Sequence, residues 1–263
     1  MVACALAAMY HAVLVAPREL QVNHRKTVLR RLPGAFDGYA VAHLSDLHLG
    51  SLASAAEHLR TVRQLRPDLF VVTGDLLERR ASIDLCADLL GALDAPDGVV
   101  VVLGNHEHRA ERRDPGHIDQ LVRALTSRGV RTLINDAVAL ERGDSRLWLV
   151  GVDDPHIGKD NAEMALAKVP ADEAAILLAH SPEVFLRFPA VRVQVAFTGH
   201  CHGGQVRTPW GAIMTRSRIR TPDVLGMQTI CGIPVNMSGG MGSTIPLRIL
   251  CPPEVTLLEL RGD

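Results

Sequence analysis

Five apolar runs along this chain each break, at their carboxyl end, into side chains suited to hold a metal ion. Residues 39–44 run into Asp46-Leu47-His48, and 68–73 into Gly74-Asp75. Residues 98–103 run into Gly104-Asn105-His106-Glu107. Residues 174–179 run into His180, and 193–198 into Gly199-His200-Cys201-His202-Gly203-Gly204. A short, unbroken apolar run is what a strand covered on both faces requires. Helical periodicity marks 54–65, with Pro67 beyond its end, and also 82–93 and 116–128. Strand, loop and helix in repetition predict an α/β fold (α+β by some schemes). In open α/β sheets, ligand sites lie beyond the carboxyl ends of the strands. Side chains rooted there hold a metal geometry that mobile loops do not. Further strands are expected at 147–151, 234–238 and 254–260. With no repeat and no low-complexity linker, 36–263 reads as one domain.

The chain has 263 residues, 47% of them hydrophobic, enough for a substantial core. Only 3% are aromatic, so the core must be aliphatic. A net charge of -1 gives no global argument for nucleic-acid binding. Five cysteines, scattered without a Cys-x-x-Cys pair, argue against a disulfide framework and for a reducing compartment. Residues 1–35 form a separate N-terminal segment. The stretch 1–17 is nearly all apolar, a little short of the roughly 20 residues of a membrane span. No basic residue precedes it; Arg18, Arg25, Lys26, Arg30 and Arg31 follow it. Read as a membrane anchor, it puts the domain on the cytoplasmic side. Read otherwise, it is an ordinary packed helix of a soluble cytoplasmic protein.

Asp46 and His48 are two residues apart and project the same way on extended backbone. His200 and His202 share that spacing. Asp75 brings two carboxylate oxygens, Asn105 a neutral amide oxygen, and His180 a further imidazole. Carboxylate, amide and imidazole together suit Mn, Fe, Zn, Co or Ni better than Ca or Mg alone. No thiolate is needed, which argues against a structural zinc site. One imidazole, His106, is left over for proton transfer.

In this order the clusters resemble the signature set of calcineurin-like metallophosphoesterases, over roughly residues 36–263. The resemblance implies a four-layer fold, two packed mixed β-sheets flanked by helices. It implies two divalent metal ions, one held by Asp46, His48, Asp75 and His202, the other by Asp75, Asn105, His180 and His200. It also implies hydrolysis of a phosphodiester or pyrophosphate bond, with a metal-bridging hydroxide as nucleophile and His106 as general acid beside Asn105. Glu107 is placed to orient that loop. The family often has Thr where this chain has Cys201, whose side chain is expected to point away from the metals. The apolar start and the tail, 240–248 followed by Pro252-Pro253-Glu254, resemble the bacterial membrane-associated branch. That resemblance implies a phosphorylated small-molecule, lipid-linked or nucleotide-sugar substrate and a membrane surface as partner. Two alternatives stand beside it: a non-catalytic scaffold of the same fold, and a nuclease.

Other residues carry weaker signals. His43 lies within a strand and reads as core, while His11, His24, His58 and His117 read as surface or packing positions. His108 is placed to touch substrate. Asp153-Asp154-Pro155-His156 either borders the pocket or makes a turn. Arg79 and Arg80 are within reach of a phosphate. The Glu78-Arg79 pair is similar to the matching stretch of protein phosphatases, without the glycine that follows there. Arg207, Arg216, Arg218 and Arg220 surround Trp210 and read as a basic flap for an anionic headgroup, or as a solvated face. Residues 238–242 lack the lysine of a P-loop and read as a tight turn bordering the site.

Overall fold

The computed structural model describes residues 2–50, 55–78, 83–215, 217–221 and 223–263. Its strands begin with β1 (Gln21–Leu29), β2 (Ala40–Leu44), β3 (Leu69–Thr73), β4 (Val99–Val102), β5 (Val130–Thr132), β6 (Asp136–Arg142) and β7 (Ser145–Gly151). There follow β8 (Ala174–Leu178), β9 (Val195–Thr198), β10 (Arg207–Thr208), β11 (Gly211–Ala212), β12 (Gly226–Ile230), β13 (Ile233–Met237) and β14 (Glu254–Gly262). The helices are α1 (Val2–Tyr10), α2 (Ala56–Val62), α3 (Ile83–Gly91), α4 (Asn105–Arg113), α5 (His117–Thr126) and α6 (Ala162–Leu166).

Twelve strands form two six-stranded mixed sheets, ordered β1-β14-β2-β3-β4-β5 and β12-β13-β9-β8-β7-β6. In the first, β2, β3, β4 and β5 run parallel, and β14 is antiparallel to β2. In the second, β7, β8, β9 and β13 run parallel. Alternation along each strand divides its side chains between two layers of core. Val41, Val71 and Val100 point into the space between the sheets, where they meet Leu149, Ile176 and Phe197. Phe70, Val72 and Val101 point outward onto Leu59 of α2, Leu90 of α3 and Leu121 of α5. On the far side, Trp148, Val150 and Leu177 pack with Leu166 of α6 and Phe185. The result is helices, sheet, sheet, helices, the four layers the resemblance implies.

All eight inner strands were expected from sequence, five of them as apolar runs. The four edges, β1, β5, β6 and β12, were not expected from sequence, and the reason is physical. An edge strand is open to solvent and carries polar residues. Residues 21–29, grouped by sequence with the N-terminal segment, pair along their whole length with β14. Helix α4 was also unread: its sequence is almost wholly polar, and Glu107 in its first turn caps it. Positions 54 and 82, the expected starts of two helices, lie outside the described residues.

Among the described residues no helix is long and apolar enough to cross a membrane. None of the residues of α1 is buried. The N-terminal segment seats on the domain only beyond it, through Ala12, Ala16 and Pro17. There the Arg248 N–H donates to the Ala12 carbonyl at 2.9 Å.

Candidate metal centre

The ends of β2, β3, β4, β8 and β9 face one another across the top of the two sheets. Main-chain bonds continue past the strands and tie the loops together. Asp46 N donates to Gly74 O (3.1 Å), His48 N to Asp75 O (3.0 Å), and Gly199 N to His180 O (2.8 Å). Gly104 is needed for this closeness: a Cβ there would lie 2.6 Å from the Asp75 backbone nitrogen and collide with its carboxylate. At Gly199, a Cβ would strike the Ser45 hydroxyl and the Asp46 carboxylate.

The seven candidate ligands converge. His48 Nε2 lies 3.2 Å from His202 Nε2, which lies 3.3 Å from Asp46 Oδ1. His180 Nε2 lies 3.2 Å from Asn105 Oδ1, 3.2 Å from His200 Nδ1 and 3.4 Å from Asp75 Oδ1. Two ligands about 2.0–2.1 Å from one tetrahedral cation stand about 3.3 Å apart, so these separations match donors sharing an ion. The second Asp75 oxygen turns the other way, 3.8 Å from both His48 Nε2 and His106 Nε2. His200 and His202 therefore face different sides of Asp75. Cys201 is buried in the outer core of the second sheet.

The backbone is bent to achieve this. Asp46, His48, Asp75, His200 and His202 all have left-handed torsions, with φ of 52°, 43°, 51°, 67° and 48°. Such a conformation costs an L-residue about 1–2 kcal/mol, and such strain gathers at functional sites.

The electrostatics call for cations. Asp75 is fully enclosed; burial works against its charge, but the imidazoles of His180, His48 and His106 outweigh burial and hold its pKa well below the usual range. Burial likewise opposes the charge on His180, yet Asp75, Asp46 and Asp154 push its pKa up to about 9. Burial holds His200 and His202 down to about 3, keeping them neutral and able to ligate. Asp46 Oδ1, which faces His202, is buried without a hydrogen-bond partner. An orphaned buried polar atom costs about 1–3 kcal/mol, which a bound cation would relieve. The donor set therefore fits divalent metal.

Sequence reading missed the part played by Glu78, taking the Glu78-Arg79 pair for its arginine. Its Oε1 lies 2.7 Å from His48 Nδ1 and 3.3 Å from His106 Nδ1, and accepts from Thr244 at 2.8 Å. Burial opposes the charge on His106, but Glu78 and Asp75 outweigh it and raise the His106 pKa. Arg109 Nη1 stands 3.5 Å from His106 Nε2. Arg248, unread in sequence, is buried and donates to the carbonyls of Gly239, Gly240, Gly242 and Cys251, fixing the turn behind Asp46. That turn, 238–242, borders the site: Gly242 N donates to Asp46 O at 2.8 Å.

The weaker signals separate. His43 is core, between Thr73 Oγ1 and Asn236 Nδ2. His108 is paired with Asp153 at 2.6 Å. Asp154 makes a turn, accepting from His156 N at 2.9 Å. Arg207 is no free cation of a flap: it forms a bidentate pair with Asp223, at 2.9 and 2.5 Å. Arg218 donates to the His156 carbonyl, and Arg220 is exposed. Arg79, Arg80 and Arg216 lie outside the described residues.

Comparison with known proteins agrees with this picture. The calcineurin-like phosphoesterase family profile matches residues 39–204. The uncharacterized metallophosphoesterase YkuE of Bacillus subtilis is 28% identical, over 96% of this chain and 89% of its own. Phosphodiesterase YaeI of Escherichia coli is 26% identical, over 84% of this chain and 82% of its own. Among solved structures, a phosphopantetheinyl hydrolase from Mycobacterium tuberculosis superposes with a TM-score of 0.51 at 16% identity, covering 83% of this chain and 98% of that one. At that identity the likeness speaks for the fold alone.

Proposed function

The chain belongs to the calcineurin-like phosphoesterase family and is a metal-dependent phosphoesterase, and we propose that it hydrolyses a phosphodiester at a dinuclear centre. The observation that carries this reading is the Asp75 carboxylate, with one oxygen 3.4 Å from His180 Nε2 and the other 3.8 Å from His48 Nε2. One carboxylate between two histidine groups suits a bridge between two cations. Asp46, His48 and His202 would complete one side, and Asn105, His180 and His200 the other. Metals bound there supply Lewis acidity and a water acidic enough to attack near neutral pH.

The chain's own groups supply the rest. A P–O bond to the attacking water's oxygen forms as the P–O bond to the departing alcohol breaks. His106 is placed to hand its proton to that leaving oxygen, and Glu78 holds its ring from the opposite nitrogen. Glu78 and Asp75 raise the His106 pKa, which favours the protonated form that an acid needs. Arg109 adds positive charge where phosphoryl oxygens would gather negative charge. The name of the relative YaeI supports a diester over a monoester.

The test is Mn- or Zn-stimulated hydrolysis of a chromogenic phosphodiester, with metal analysis on the same sample. The expected result is about two ions per chain, and a His106→Ala variant that keeps both while turnover of a poor-leaving-group ester falls about 10²–10⁴-fold. Near-normal turnover of that ester by the variant removes His106 from the mechanism. A folded protein inert with every metal favours the scaffold reading instead.

A further inference from the structure

A second group of ligand-type side chains meets at His200. His156, Glu183 and His200 each offer one ligand atom, and the three atoms lie within 4.8 Å of one another. They come from the segments beyond β7, β8 and β9, at the same end of the sheets as the candidate metal centre. Glu183 sits in the short 3-10 helix Pro182–Leu186 that follows β8. The His156 and His200 rings are 4.1 Å apart between centroids, tilted by 39°. His156 Nδ1 faces Glu183 Oε2 at 3.9 Å.

Hydrogen bonds alone do not account for this group. His200 turns Nδ1 to the candidate centre, 3.2 Å from His180 Nε2. Its other nitrogen, Nε2, is buried without a hydrogen-bond partner among the described residues, and so is His156 Nδ1. Leaving both orphaned costs free energy. Glu183 is 1% exposed. Its oxygens accept from the Ser181 hydroxyl and from Arg218 N, both neutral donors. A buried carboxylate ordinarily pairs with a cation or binds a metal. Asp154, two residues before His156, is a second buried carboxylate, and its Oδ2 has no partner among the described residues either. Two imidazoles and a carboxylate are a familiar donor set for first-row metals. One ion among them would satisfy both nitrogens and neutralise Glu183.

We propose that His156, Glu183 and His200 hold a further first-row dication such as zinc, outside the candidate dinuclear centre and sharing His200 with it. His200 Nδ1 would bind an ion of the centre and Nε2 the added one. The Nε2–H bond breaks, its proton passes to the solvent buffer, and the resulting imidazolate links the two ions. The added ion would also fasten the segment beyond the His-x-His loop, because the Arg218 guanidinium donates to the His156 carbonyl while its N–H reaches Glu183. The sharing of His200 rests on the dinuclear reading; the added binding at His156 and Glu183 does not.

The test is equilibrium dialysis against a zinc buffer, followed by metal analysis of the retained protein. His156→Ala and Glu183→Gln are each expected to hold about one ion fewer than the unaltered protein, and His200→Ala about two fewer. Circular dichroism identifies the folded variants; where Glu183→Gln does not fold, His156→Ala, which removes a half-buried ring, decides. Equal uptake by His156→Ala and the unaltered protein overturns the site. So does a folded His156→Ala that loses every ion, which makes the residue a support of the dinuclear centre. A folded His200→Ala that loses only one ion overturns the sharing. If His156→Ala still holds one ion fewer but retains only one, the added site stands and the result counts against the dinuclear reading instead.

Discussion

Glu107→Gln is isosteric, yet it should be among the most damaging single-atom changes in this protein. Glu107 is fully buried, and both carboxylate oxygens accept from main-chain N–H groups. Oε1 takes Leu76 N (2.8 Å) and Leu77 N (3.3 Å); Oε2 takes Asp75 N (3.1 Å) and Gly104 N (2.8 Å). An amide replaces one oxygen with an NH2 that faces two donors and accepts from neither. Each orphaned N–H costs about 1–3 kcal/mol, so the loss is about 2–6 kcal/mol. That is a large share of a total stability of about 5–15 kcal/mol. Burial and the Asp75 charge raise the Glu107 pKa more than the Gly104 and Leu76 N–H groups lower it, but four N–H donors around the two oxygens, with no acceptor for a carboxylic O–H, call for the ionised form. Urea denaturation of both proteins, each saturated with Mn, measures the difference as a midpoint shift. If Glu107 is instead a neutral acid, glutamine mimics it and the shift stays below about 0.5 kcal/mol. That result would refute the clamp. The loop it holds carries Asp75, so metal affinity should fall with stability.

Other expectations follow from the same geometry. Gly104→Ala forces a Cβ against Asp75; a loss of about 1–3 kcal/mol and weaker metal binding are expected in calorimetric titrations, and wild-type affinity would contradict the contact. Chelation should lower the thermal midpoint, since metal at 100 times its Kd adds about 2.7 kcal/mol, or about 5–10 °C in a chain this size; Mn or Zn should restore it, and an unchanged midpoint would speak against a structural contribution from the ions. Burial holds His43 down to about 3 against an ordinary 6.5. Its contribution is therefore full above about pH 6.5 and is lost as pH falls toward 3, at up to about 1.4 kcal/mol per pH unit. Imidazole nitrogen shifts should show a neutral ring at pH 4.5, and a protonated ring there would contradict the buried Thr73–His43–Asn236 arrangement.

What sequence conveyed, and what it withheld, follows burial. Val71 and Val100 sit in runs that are almost wholly apolar, because both faces of their strands are covered. Gln21–Leu29 is polar because it is an edge, and its pairing with β14 depends on residues more than 230 positions away. The candidate ligand clusters could be picked out in sequence because Asp, Asn and His crowd the strand ends whatever their partners. Glu78 was not, since its role depends on His48 and His106 arriving beside it. Arg248 shows the same limit: a lone arginine in a tail segment looks solvated, and only the closed turn around it reveals four buried carbonyls in need of donors.

The left-handed main chain beneath the candidate ligands also governs which residues can stand there. Asp, Asn and His accept that conformation more readily than other side-chain-bearing residues, and all three are hard or borderline metal donors. At Asp46, His48, Asp75, His200 and His202 the backbone thus narrows the chemical alphabet before any ion arrives. Branched and bulky residues are disfavoured by torsion alone, and glycine, which the torsion welcomes, brings no donor. A site built this way resists drift: most substitutions lose on conformation as well as on coordination, and those the main chain tolerates best are other ligands.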